Sequence, residues 1–176
     1  KLTISAIRGN AAAGGLMMAL AADLVWTHEN VVLNPHYKSM GLFGSEYWTY
    51  NLPRRVGADK SNELTESMLP ISGKDALHIN LVDQILGRNG EEFEAQLESA
   101  VDTIAGSFNL PEKLNQKKRK LADPLFFNQL ESFRTNELLI MKENFASEVY
   151  NNARRAFVRK QCPKGTPCHI NSLSTL

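Results

Sequence analysis

Up to Gly87 the hydrophobic positions recur at both strand and helix periods; beyond it only the helix period remains. The run KLTISAI places apolar residues from Leu2 to Ile7 at strand length and reads as a buried strand. Gly9 to Gly15 reads as a turn. Gly14 to Ala22 follows as a helix apolar on every side, which predicts burial all round. DLVWT and VVLNP are short strands rich in valine and tryptophan, the second stopped by Pro35. Strand, helix and strand in so few residues predict tight βαβ-like units. HYKSMGLFGSE carries two glycines and no period, so it reads as a loop. SEYWTYNL then opens a helix with Ser45 as its cap, and Pro53 weakens or bends that helix. ADKSNELTESML predicts a helix with Leu64 and Met68 on one face. ISGKDALHINLVDQIL predicts a short helix capped at Ser72, then a strand from Val82 to Leu86.

Residues 91–160 hold no strand signal. In EEFEAQLESAVDTIAGSF, Phe93, Leu97, Val101 and Ile104 fall at spacings of four, four and three, an amphipathic stripe. DPLFFNQLESFRTNELLIMKENF predicts a second long helix from near Pro124. Pro163 and Pro167 end regular structure, and residues 161–176 are expected to form a flexible tail. The pattern is an α/β body over residues 1–87 followed by a helical layer over 88–160.

Composition narrows the function classes. The 176 residues suffice for one sizeable core. With 43% hydrophobic and 22% charged residues the chain reads as soluble and globular. A net charge of +1 leaves no global field to recruit nucleic acid or anionic lipid. The apolar run from Gly14 to Ala22 is too short to cross a bilayer, and no secretory signal opens the chain, so cytoplasm is the expected compartment. Cys162 and Cys168 could pair, or form half a metal site with His169. Two reduced thiols on the tail, with no metal, is the expectation. The chain opens inside a strand pattern, which is expected of a fragment beginning within a larger domain.

A helix entered through Gly14 and Gly15 exposes unpaired backbone N–H groups in its first turn. Those donors and the helix dipole favour negative charge, including a developing oxyanion, and glycine lets a ligand approach the backbone. The same glycines would equally let the helix pack tightly on the strands. From this motif alone both readings stand.

The order ISAIRGNAAAGGLMMALAADLVWT, LNPHYKSMGL, a helix ending in LPRRVG, and ELTESMLPISGKDALHINLVDQIL resembles the crotonase superfamily of acyl-CoA enzymes. The resemblance covers about residues 1–87. It implies a ClpP/crotonase-like ββα-spiral core, here incomplete, followed by a helical C-terminal layer. By this resemblance Gly14 falls on the glycine whose N–H supplies half of the thioester oxyanion hole. The other half comes from a loop earlier in such domains. Met17 stands at the first catalytic Glu position of the superfamily and Tyr37 at the second. Hydration of an enoyl thioester needs a general acid and a general base. Methionine transfers no proton, and a phenol with an ordinary pKa of ~10 donates rather than accepts near neutrality. An ordinary hydratase is therefore not expected. Glu46, in FGSEYWTY, is the nearby acid; without the resemblance it reads as a first-turn Glu stabilised by the helix dipole.

LNPHYKSMGLFGSEYWTYNLPRRVG, together with FRTNELLIMKENF and YNNARRAFVRK, is similar to one branch of the superfamily: the C-terminal crotonase-like domain of the HypX/HoxX hydrogenase-maturation proteins. That likeness implies an N-terminally truncated member. In such proteins a preceding domain passes a formyl group from formyl-tetrahydrofolate to coenzyme A. The crotonase-like domain then releases carbon monoxide from formyl-CoA, as a ligand for the iron of nickel–iron hydrogenase. Hydrogenase assembly factors are the implied partners. The expected roles are proton acceptor for Glu46, donor or orienting group for Tyr37 and carbonyl polarisation for the Gly14 N–H. Met17, His36 and Ser45 would line the pocket, with Met17 keeping it dry. An isolated fragment is expected to be inactive. Competing functions are another acyl-CoA reaction, such as isomerisation or thioester hydrolysis, and a non-catalytic partner-binding domain.

Other candidates carry less chemistry. His28, His36 and His78 lack ligand-like spacing, although His36 adjoins Tyr37. Tyr47, Trp48 and Tyr50 suit core packing or the acyl pocket. The basic run KLNQKKRKL suits a solvated helix face, or a dock for CoA phosphates or a neighbouring domain.

Overall fold

The computed structural model describes residues 1–159. Cys162, Cys168 and the expected tail lie outside the described residues. The strands are β1 (Ile4–Ile7), β2 (Ala11–Ala12), β3 (Leu24–Thr27), β4 (Val32–Asn34), β5 (Ile71–Ser72) and β6 (Gln84–Ile85). The helices are α1 (Ala13–Ala19), α2 (Trp48–Val56), α3 (Ala58–Ser67), α4 (Gly73–His78), α5 (Gly90–Ala105), α6 (Leu110–Ala122), α7 (Pro124–Ala146) and α8 (Glu148–Val158). A 3-10 turn spans Lys38–Met40.

The strands form two small sheets. One is parallel throughout, in the order β1-β3-β6, with Ile4 opposite Leu24 and Trp26 opposite Gln84. In the other, β2 pairs parallel with β4 and β4 antiparallel with β5. The helix α1 links β1 to its parallel neighbour β3, as the tight βαβ pattern predicts.

The central strand β3 divides the interior. Successive side chains on a strand face opposite ways. Val25 enters the larger core with Leu16, Met17, Leu33, Leu52 and Leu81. Trp26 enters a second core with Leu86 and Phe93. Helix α5 covers that second face with Phe93, Leu97, Ala100 and Ile104. The expected stripe is corrected at one position: Val101 is exposed and Ala100 packs in its place.

Three further expectations are corrected. The strand β1 is not buried throughout: Ala6 is exposed while Ile7 is buried. The helix α1 is not buried all round: it ends at Ala19, and Met18 turns to solvent while Leu16 and Met17 are fully buried. The strand expected over Val82–Leu86 shrinks to β6, because Val82 and Asp83 are used in a turn against α4 and β3. Ser72 caps α4 by accepting from the Asp75 N–H, and Asp123 caps α7 just before Pro124. No described helix is long and apolar enough to cross a membrane.

The basic run occupies α6 and is mostly exposed. Lys117 is the exception: it pairs with Asp23 at 2.5 Å and ties the helical layer to the start of β3.

Candidate active site

Tyr37 and Glu46 come from opposite ends of the loop between β4 and α2, and the loop folds back so that they meet. The Tyr37 hydroxyl donates to Glu46 Oε2 at 2.5 Å, the length of a charge-assisted O–H···O bond. The Ser45 N–H donates to the same oxygen at 2.8 Å. The other oxygen, Oε1, accepts no hydrogen bond from any described residue and lies over Gly14. A methyl group at Gly14 would stand 3.2 Å from it. Gly14 is the second residue of α1, where a helix leaves its N–H without an intrahelical acceptor. A phenol and a carboxylate thus meet beside the first turn of α1.

The phenol is buried, and this sets its charge state. Burial first, then the hydrogen bond to Glu46 and the negative charges of Glu46 and Glu137, push Tyr37 well above its ordinary value of 10.0. Tyr37 is therefore a protonated donor at any ordinary pH. Gly44 makes room for it. At φ 92° this glycine occupies a region that side chains rarely enter, and a Cβ there would collide with the Tyr37 ring.

Two non-glycine residues in the left-handed region flank the convergence. Ala13, immediately before Gly14, has φ 46°, and Tyr47, immediately after Glu46, has φ 56°. Such conformations cost on the order of 1–3 kcal/mol each and persist only where the surroundings impose them.

The other expected residues fall as follows. Met17 is fully buried in the core cluster that contains Tyr37. Ser45 contributes its N–H to Glu46 and its carbonyl to Arg134. It does not cap α2, which begins at Trp48 and receives no side-chain bond from its own N-cap, Tyr47. Nor is Glu46 a first-turn residue; it precedes the helix and turns toward Tyr37. His36 is buried and makes no bond to either member of the pair, and burial lowers its pKa against a smaller opposing effect of the Met68 backbone. Tyr50 packs against Phe133 and beneath Arg54, Trp48 packs on Phe43, and Tyr47 lies under Arg134.

One residue escaped the sequence reading. Glu137 of α7 is fully buried and accepts from the Tyr47 N–H at 2.8 Å, the Thr49 N–H at 2.9 Å and the Thr49 hydroxyl at 2.6 Å. The signal available was its place in NELLIMKENF, a stretch singled out for likeness rather than for chemistry.

Comparison with known proteins gives a consistent result. The family model for enoyl-CoA hydratase/isomerase matches residues 1–165. The hydrogenase maturation factor HoxX of Bradyrhizobium diazoefficiens is 40% identical over 97% of this chain, and the match spans 30% of that protein. The crystal structure of HypX from Aquifex aeolicus, in complex with tetrahydrofolic acid, is 41% identical with a TM-score of 0.88, covering 95% of this chain and 30% of that one. A carnitinyl-CoA hydratase from Mycobacterium avium shares the fold at 24% identity and a TM-score of 0.77, covering 93% of this chain and 62% of that one. The fold is thus crotonase-like, and the chain spans less than a third of the length of the hydrogenase-maturation relatives it matches.

Proposed function

The chain belongs to the enoyl-CoA hydratase/isomerase family, and from that premise we propose that it is the crotonase-like part of a hydrogenase-maturation enzyme that releases carbon monoxide from formyl-CoA. The likeness to HoxX and HypX supports the maturation role. The observation that carries the chemistry is the pairing of Tyr37 with Glu46 Oε2, which leaves Oε1 unbonded over Gly14.

In this reading Glu46 Oε1 takes the formyl hydrogen as a proton. The C–H electron pair stays on carbon and becomes the lone pair of carbon monoxide. The C–S bond breaks toward sulfur, and the departing thiolate receives the proton from Glu46. The products are carbon monoxide and free coenzyme A, with no oxidant or reductant consumed. The Gly14 N–H polarises the carbonyl, and the Tyr37 hydroxyl holds Glu46 in line. Met17 fills the place of a second acid with an apolar group and excludes the water that would divert the thioester to formate. A single carboxylate suits this reaction, whereas addition of water across a double bond calls for an acid and a base together. The formyl group would arrive on coenzyme A, charged from formyl-tetrahydrofolate by another part of the whole protein.

The test uses the full-length protein and formyl-CoA, with released gas trapped by deoxyhaemoglobin. Glu46→Gln should abolish release while the far-ultraviolet dichroism stays unchanged. Full activity in that variant, or formate as the sole product of the wild type, would overturn the assignment.

A further inference from the structure

Residues 44–49 are held almost entirely from one side. Met141 Sδ accepts from the Gly44 N–H at 3.1 Å, Arg134 donates to the Ser45 carbonyl, and Glu137 binds the main chain at Tyr47 and Thr49. All three side chains belong to α7, at positions separated by three and four residues, and so lie on one face of that helix. Within this span the Glu46 side chain reaches instead toward Tyr37 and Gly14.

Glu137 is an expensive way to cap a helix. A serine at the N-cap would satisfy one amide locally. Instead a carboxylate is fully buried, and no ion pair to it exists among the described residues. A buried carboxylate is tolerated only where hydrogen bonds replace its water, and here the three donors and the N-terminus of α2 do so. What this arrangement provides, and a local cap does not, is a fixed left-handed turn at Tyr47. Rotating the chain there would swing Glu46 away from its partners.

We propose that Glu137 is a positioning residue: through the Tyr47 and Thr49 amides it holds the turn that directs the Glu46 carboxylate onto Tyr37 and over Gly14. This rests on the site described above and deepens the proposed function. Glu137 touches no reacting atom. Gln cannot replace Glu, because its amide nitrogen would meet an N–H donor with another donor.

The test uses full-length protein labelled with 13Cζ-tyrosine, a nucleus that responds to hydrogen bonding at the phenol. The Tyr37 signal is identified as the one lost in Tyr37→Phe. Glu137→Gln should move it in the same direction as Glu46→Gln does. It should also lower kcat on formyl-CoA about 10- to 100-fold with KM changed less than twofold. Thr49→Val, which removes one of the three bonds and keeps the carboxylate, should produce a smaller shift of the same sign, and this variant decides the matter if Glu137→Gln fails to fold. An unmoved Tyr37 signal in a folded variant, or a moved signal with unchanged kcat, overturns the proposal. A wild type that releases no carbon monoxide defeats the proposed reaction instead, and the spectra still decide the role of Glu137.

Discussion

Arg55 and Asp83 pair at 3.0 Å, and each is bonded as well to main chain that the other does not reach. Arg55 donates to the carbonyls of Leu20, Ala22 and Leu81, and Asp83 accepts from the Val25 N–H at 2.6 Å. The pair stitches the end of α1, the start of β3 and the turn before β6 under α2. Arg55→Met leaves three carbonyls and the Asp83 carboxylate without their partner, and should cost about 2 kcal/mol. A urea titration should show the midpoint falling at unchanged slope. Lys at this position should not rescue, since one ammonium cannot serve three carbonyls and a carboxylate in the guanidinium's fork geometry.

Gly14→Ala separates fold from chemistry. Alanine is the better helix former by about 1 kcal/mol, so thermal stability should be retained. Its methyl group would press on Glu46 Oε1 at 3.2 Å and occupy the space over the first amides of α1. Carbon monoxide release by the full-length variant should fall at least as far as in Tyr37→Phe.

Tyr37→Phe should lower kcat on the order of 100-fold, the scale of a lost donor in a proton-transfer site. Because the phenol is held above its ordinary 10.0, it does not ionise in the working range. The wild-type rate should therefore show no alkaline limb belonging to Tyr37 up to pH 9. A rate that falls with a midpoint near pH 8 and straightens in Tyr37→Phe would contradict this.

His36 makes stability depend on pH just below neutrality. Burial lowers its pKa from 6.5, against a smaller opposing effect of the Met68 backbone bond. Between the folded value and 6.5 the unfolded chain binds the extra proton, so the stabilisation is present above 6.5 and is lost as pH falls through the folded value. Urea midpoints at pH 7.5 and 5.0 should differ more for the wild type than for His36→Gln.

Local chemistry explains which features the sequence reveals. Ser72 and Asp123 each cap the helix that starts beside them, and their bonds span only a few residues. The same rule fails at Ser45, because Glu46 turns to Tyr37 and the helix start is capped from α7 instead. Periodicity finds Phe93, Leu97 and Ile104 but misplaces Val101, since a stripe at helix spacing does not say how wide the covering core is. Glycine pattern and family likeness single out Gly14, Tyr37 and Glu46. They carry no hint of Gly44, whose role depends on where an aromatic ring settles in three dimensions. Glu137 is illegible for the same reason, its partners being contributed by a distant turn.

Tyr47 and Glu137 are separated by 90 residues. A ribosome adding roughly 5–20 residues per second delivers the loop some ~5–20 s before the helix that braces it. During that interval the nascent chain has its phenol and its acid but not the brace from α7 that fixes the turn beside the acid. Reactivity toward a thioester would thus begin only once translation has passed α7, which spares coenzyme A esters from a half-made protein.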